Sequence, residues 1–380
     1  MAELTIEQIL EEYISKVQQI QALVTNPHYP DKRNILNILE YMRIMHSFEN
    51  IREGNSFTAL RIGTLSQSSV SQVFLGKGVC LSQTRLMRDI LPDSIKLELL
   101  EVFYMDEDNI FVVDQHSVII IPLDGNLCYV DPTLYTGDKD RLEGSKNTAQ
   151  YGRRSFESIT ATEDEIGQSR REIQSKLIQM LQIDKISGQI ITPDMTDLQK
   201  HCAIFAFIES IINVENTDVD FYTANLFGHN IEVGKLMELF FAANDIDYTI
   251  ECGGNRFDSV YTVKLDGETT HLHTTEMYYA RTTQEGNKHI RKTLHYTPGP
   301  DGKLEYLFNR PGMAEQYISA MASAREKVRN IVLGTPPRIA IEDIGNVTNG
   351  ATTADVKDIE SALRTDEDKG LGGEVPVISE

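Results

Sequence analysis

The sequence predicts an α+β protein, and three observations carry that expectation. Apolar residues recur three and four apart over 5–24, where Ile6, Ile9, Leu10, Tyr13, Ile14, Val17, Ile20 and Leu23 define one helical face. Val79, Leu86, Met87, Ile90 and Leu91 repeat that spacing over a second helical run. Two apolar strands then flank Leu123-Asp124-Gly125-Asn126, and Asp-Gly between apolar runs marks an antiparallel hairpin.

The elements follow in order. Thr5 is placed to cap the first helix, and Pro27, Pro30 and Asp31 break the pattern after it. A second helix is expected at about 33–50, with core cover as the role of both. Gly76 and Gly78 allow a sharp backbone turn before the helix 81–91, which Pro92 ends. His116 begins Ser117-Val118-Ile119-Ile120-Ile121, which reads as a buried strand. Cys128-Tyr129-Val130 is the next strand and ends at Asp131-Pro132-Thr133. From Thr136 to about Asp164 the chain turns polar and loop-like, suited either to cover the region around Asp131 or to link two domains. Helices follow at about 164–183 and 197–215, then a second unit to about 310, with a polar hairpin loop from Arg281 to Lys292. A final helix runs from Pro311 to about Val332. After Pro336-Pro337 large apolar residues become scarce, so 336–380 is expected to be a mobile acidic tail. The expected domains are 1–135, a connecting loop and helix at 136–195, a second domain at 196–335, and that tail.

Cys80, His116 and Asp131 each occupy a setting suited to one chemical role. A thiolate is the nucleophilic form of cysteine, and a helix start favours negative charge through its unpaired N–H groups and macrodipole. Those same N–H groups suit an oxyanion. An imidazole can take the thiol proton and return it to a leaving group, and a carboxylate can hold the imidazole in the useful tautomer. Antiparallel neighbours sit about 4.5–5.5 Å apart across a pair, within reach of such a contact. Alternation puts His116, Val118 and Ile120 on one face, and Leu127, Tyr129 and Asp131 on one face of the next strand, while Cys128 points the other way. Taken singly, each residue has a plainer role: a small buried hydrophobe, a satisfied edge histidine, a turn-forming Asp before Pro.

Gly76-Lys77-Gly78-Val79-Cys80-Leu81-Ser82-Gln83-Thr84-Arg85-Leu86-Met87 resembles the nucleophile helix of the transglutaminase-like superfamily, which shares a papain-like core. His116-Ser117-Val118, Leu123-Asp124-Gly125 and Tyr129-Val130-Asp131-Pro132-Thr133 resemble its His and Asp strands, so the likeness covers about 65–135. The resemblance implies a Cys80 nucleophile, a His116 base and an Asp131 orienting acid. It implies acyl transfer on amide bonds through a thioester, resolved by water in a peptidase or deamidase, or by an amine in a cross-linking transglutaminase. Two features depart from the family. The chain has no Trp, and Phe74 or Tyr129 are the aromatic residues available in its place. Nothing matches a calcium loop; the acidic run Met105-Asp106-Glu107-Asp108-Asn109 reads as a solvated loop. A non-catalytic binding module that keeps a vestigial triad is the alternative from another class.

The unit recurs in the second half. Gly78 and Leu86-Met87 match Gly228 and Leu236-Met237 at an offset of 150, and Ser117-Val118 and Leu123-Asp124-Gly125 match Ser259-Val260 and Leu265-Asp266-Gly267 at 142. Asn230, Asp258 and His273 then stand in the triad positions, and without a thiol the second copy is expected to bind substrate or a partner protein. The competing reading is two unrelated hairpins with a common turn. His229, His271 and His273 with Asp258 match no established metal signature, so no metal and no cofactor is expected.

Composition narrows the partners. The formal net charge of −21 opposes binding to nucleic acid and to anionic membrane surfaces and favours a basic protein or peptide. Hydrophobic residues make up 41% of 380, enough for two or three packed domains. Four cysteines do not form a disulfide framework, and a working thiol suits a reducing, cytoplasmic setting. The first residues lack a basic end and apolar core, so no secretory signal is expected, and no apolar run reaches membrane-spanning length; export as an effector by a signal-independent route stays compatible.

Overall fold

The computed structural model describes residues 6–48, 69, 72–73, 76–95, 97–105, 111–123, 125–133, 148–151, 154–213, 223–226, 229–252, 259–265, 268–273, 296–298, 304–306, 312–329 and 331. Helix α1, Ile6–Val24, buries Tyr13 and Val17 while Glu11, Ser15 and Gln18 stay exposed, as its periodicity predicts, but Ile14, expected on the same apolar face, is exposed. The turn after it is pinned by Asn34, whose Oδ1 accepts from Asn26 N at 2.9 Å and whose amide donates back to Asn26 O at 3.1 Å. Helix α2, Asp31–Met45, is buried at every position from Asn34 onward. It is therefore a central helix, and its polar residues must find partners inside. It stops five residues short of the expected end. His46 turns the chain extended, and β1, Ser47–Phe48, pairs in parallel with β2, Lys77–Gly78.

Helix α3, Cys80–Ile90, inserts Leu86, Met87 and Ile90 into the core, and Pro92 follows its C-terminal cap residue Leu91. Strands β3 (Glu98–Met105), β4 (Phe111–Leu123), β5 (Asn126–Val130), β6 (Thr148–Tyr151) and β7 (Arg154–Ser158) close a barrel in the order β3-β4-β5-β7-β6. Leu123 faces Asn126 across the β4–β5 turn, and Gly125 adopts φ +84°, which an L side chain rarely tolerates. Strands β6 and β7 lie in the segment whose polarity reads as loop. Their hydrogen-bonded place in the barrel, rather than an apolar run, makes them strands.

Helix α4, Glu163–Met180, begins at a capping box in which Thr162 and Glu165 satisfy each other's backbone N–H groups. Gln182, left-handed at φ 54°, separates it from α5, Ile183–Ile190. Helix α6, Asp197–Ile211, has an unbroken apolar run from Cys202 to Ile208 and packs against the rest of the molecule through Phe205, Phe207 and Ile208. Strands β8 (Ile212–Asn213), β9 (Thr223–Leu226) and β10 (His229–Glu232) form a small antiparallel sheet before helix α7, Val233–Ala243. Then β11 (Tyr248–Cys252), β12 (Ser259–Leu265), β13 (Glu268–His273), β14 (Tyr296–Pro298) and β15 (Leu304–Tyr306) form an antiparallel meander in sequence order. Helix α8, Met313–Val328, docks on α6, where Arg325 grips Glu209 at 2.9 and 3.0 Å.

The element order recurs. Both α2 and α6 have 15 residues and lead into a two-residue strand; both α3 and α7 have 11 and lead into antiparallel strands. Leu265 faces Glu268 as Leu123 faces Asn126. The barrel and the meander then diverge. A common apolar cluster joins the two halves, and inside it Arg43 of α2 binds both Glu40 and Glu238 of α7. Burial opposes the charge of Glu238, and the guanidinium beside it outweighs that penalty and keeps its pKa low.

Candidate active site

Cys80 is the first residue of α3. Gly76 reaches the helix start through a left-handed turn at φ 67°, and Val79 caps it in extended geometry with ψ 175°. The thiol-bearing residue is half-buried. Two side chains of the first helical turn fix this end. Ser82 Oγ donates to Val79 O at 2.7 Å. Thr84 Oγ1 lies within hydrogen-bond distance of two carbonyls, that of Cys80 and, at 3.2 Å, that of Ser117 in β4. The turn that begins with Cys80 is thus tied to the strand residue that follows His116.

His116 stands opposite Val102 of β3; its imidazole lies outside the described atoms. Asp131 directly follows β5. It is buried, and its Oδ1 accepts from Thr133 N at 2.9 Å. The β4–β5 register pairs Ile120 with Tyr129 and Ile119 with Val130, so positions 116, 118, 120 and 129 share one face of the sheet by alternation, and the chain leaves the strand at Asp131. Burial pushes the Tyr129 hydroxyl up to about 12, and the Asp131 charge adds to that push.

The same register sets a condition. Ile119, Ile121 and Val130 belong to the apolar cluster that holds Leu86 and Met87 of α3, so the helix packs on the face opposite to position 116. The β3–β4 pairing shifts by one residue just beyond His116, between Val102 and Tyr104. A bulge breaks alternation and re-aims side chains, and it begins here at the residue whose orientation matters.

The other cysteines have different settings. Cys128 pairs with Ile121 and packs against the core cluster, on the face away from position 131. Cys202 is fully buried in α6, and burial pushes its thiol up to about 12, which disfavours the thiolate form. Residue periodicity did not single out Ser82, Thr84, Gln72 or His46, all of them buried. The readable signal is Ser82-Gln83-Thr84 itself, three polar residues in the first turn of a helix that carries an apolar face.

In the second half Asn230 lies in β10 opposite Asn225, three residues before Val233 opens α7. Matching helix starts rather than glycines therefore puts Val233 where Cys80 stands. Position 273 pairs with Val260 and position 271 with Thr262, whereas Asp258 lies outside the described residues, as do Phe74, Asp106 to Asn109 and the tail 336–380. Among the described residues no group of three or more His, Cys, Asp or Glu side chains could hold a metal ion, and no helix is long and apolar enough to cross a membrane.

No known protein family matches the chain by sequence, and no curated protein is detectably similar to it.

Proposed function

We propose that this chain is a transglutaminase-like cysteine enzyme with a papain-like catalytic unit, acting on amide bonds of protein or peptide substrates through a Cys80 thioester. The observation that carries the reading is the half-buried Cys80 at the first position of a helix whose first turn is tethered, through Thr84, to the carbonyl of the residue after His116.

The reaction runs as acyl transfer. His116 takes the thiol proton, the thiolate sulfur bonds to the amide carbon, and the carbonyl electrons move onto oxygen. Collapse of that oxyanion breaks the C–N bond, and the amine or ammonia leaves with the proton from the imidazolium. Water then attacks the thioester with His116 as base and releases the acid. The hydrolytic outcome, peptidase or deamidase, is the leading form; an amine acceptor in place of water gives cross-linking. The second unit, which has Asn230 or Val233 in place of a nucleophile, serves binding.

Incubation with iodoacetamide near neutral pH tests the reading. Cys80 should react at least about tenfold faster than Cys128, Cys202 and Cys252, because thiolate fraction governs the rate, and Cys80→Ala should abolish that fast phase and amide hydrolysis. Equal labelling of the cysteines would sink it. The packing of α3 on the opposite sheet face from position 116 favours a second reading, a binding module with a vestigial triad. Under that reading a folded Cys80→Ala variant keeps full function.

A further inference from the structure

Helix α7 carries a lysine in its first turn, Lys235, and the residue is costly there twice over. A helix start already holds partial positive charge, which an ammonium opposes. Lys235 is also buried, with 7% of its surface exposed, and a buried charge needs a partner. Among the described residues no hydrogen bond and no ion pair reaches its ammonium.

Glu238, one turn on, feels the charge of Lys235 but is already satisfied. Arg43 grips Glu238 at both carboxylate oxygens, and Gln174 donates to it at 2.7 Å. Arg43 also holds Glu40, and Arg170 stands 3.4 Å from Glu40 at the rim of the network. Two guanidinium groups thus balance two carboxylates, and Lys235 is a cation in excess. Glu232, the residue before the helix, makes no cap hydrogen bond with its side chain, and the first turn itself holds no acidic residue.

Helical side chains lean back over the turn before their own, so Lys235 leans toward the helix start. There the ammonium and the helix dipole act on one spot, and both favour an anion. The excess of one cation sets the charge of that anion. A single negative charge neutralises it, whereas a phosphate dianion would bury an unbalanced charge of the opposite sign. We propose that the start of α7, with Lys235, is a binding site for one carboxylate group, that of a peptide C-terminus or of an acidic side chain. Val233 stands where Cys80 stands in the first unit, so the site lies at the second unit's counterpart of the nucleophile position. The site gives the binding role proposed for the second unit its ligand class, and so rests on that reading, while asking nothing of Cys80. It is a local exception in a chain of net charge −21.

Urea unfolding of the full chain, near neutral pH and at constant ionic strength, tests the site without any reaction. A ligand that binds only the folded chain raises the ratio of folded to unfolded molecules by mass action. Sodium propionate at about 100 mM in place of chloride should raise that ratio about tenfold, as a Kd of about 10 mM requires. The rise should vanish in Lys235→Met, which keeps the length of the side chain without its charge. In chloride that variant should be no less stable than the unaltered chain, because it removes a buried charge. Acetylated trialanine with a free C-terminus and the acetylated Ala-Glu-Ala amide assign the carboxylate to a chain end or to a side chain, by the larger rise. Three outcomes would overturn the site: no rise with propionate in the unaltered chain, a rise that survives Lys235→Met, or a loss of stability in Lys235→Met under chloride, which would make Lys235 a structural partner of Glu238. A larger rise with inorganic phosphate than with propionate would leave the second unit a binding role and overturn the carboxylate.

Discussion

Thr84 has one hydroxyl hydrogen and two carbonyl neighbours, those of Cys80 and Ser117. Valine has the same shape without the hydrogen, so Thr84→Val isolates the polar tie between α3 and β4. A buried hydrogen bond of this kind contributes about 0.5–1.5 kcal/mol net. The variant should lose about that much stability in urea titration, and Cys80 alkylation should slow as the helix start loosens. Unchanged stability with unchanged alkylation would show that packing alone holds the helix on the strand. A second residue-scale effect concerns pH. Burial holds His46 and His201 at about 4, against about 6.5 for a free imidazole. Between those values the unfolded chain binds protons that the folded chain refuses. Their contribution is therefore complete above about pH 6.5 and is lost as pH falls toward 4, by roughly 3 kcal/mol for each ring. Urea midpoints measured from pH 7 to pH 4.5 should fall accordingly, and His201→Leu should flatten the fall. A flat profile in the unaltered chain would contradict the burial of these rings.

Between elements, Arg43 of α2, also held by Glu40 of its own helix, binds Glu238 of α7, and Gln174 of α4 donates to Glu238 at 2.7 Å. A buried pair gains little over an apolar one, but removing one partner strands the other charge. Glu238→Leu leaves Arg43 with Glu40 alone and should cost about 3–5 kcal/mol. Adding Arg43→Met should cost less than the two single losses together, since each change removes the other's penalty. Additive losses in guanidinium unfolding would show that the pair does not couple α2 to α7. Such contacts also explain what the sequence could and could not tell. The helices of 6–24 and 80–90 and the β4–β5 hairpin were legible because each has an apolar period or an Asp-Gly turn of its own. Strands β6 and β7 have neither and owe their form to partners distant in sequence. The break between α4 and α5 rests on a left-handed Gln182, a conformation that residue type does not announce. At the candidate site, Cys80, His116 and Asp131 stood out by chemistry and setting. Ser82, Gln72 and His46 did not, because a polar side chain ordinarily faces water and only burial reveals otherwise.

Across the whole molecule the dominant property is charge. Thirty-six basic residues against 57 acidic ones leave a formal net charge of −21. That field acts on encounter rather than on chemistry: it raises the local concentration of cations and repels anions before contact. Its reach is the Debye length, about 10 Å at 0.1 M salt and about 3 Å at 1 M. A substrate class therefore follows from the proposed acyl transfer without any knowledge of the pocket. Lysine-rich peptide esters should acylate Cys80 faster than glutamate-rich esters of equal length, by about tenfold at 20 mM salt, within the range electrostatic steering produces. The advantage should shrink toward unity by 0.5 M salt, while the rate with a neutral acetamide reagent stays constant. The comparison works because intrinsic reactivity of the thiol cancels between esters of the same leaving group, leaving only approach. If glutamate-rich esters react as fast as lysine-rich ones at low salt, the acidic surface plays no part in selecting what reaches Cys80, and the excess of carboxylates belongs to the parts of the chain remote from that helix.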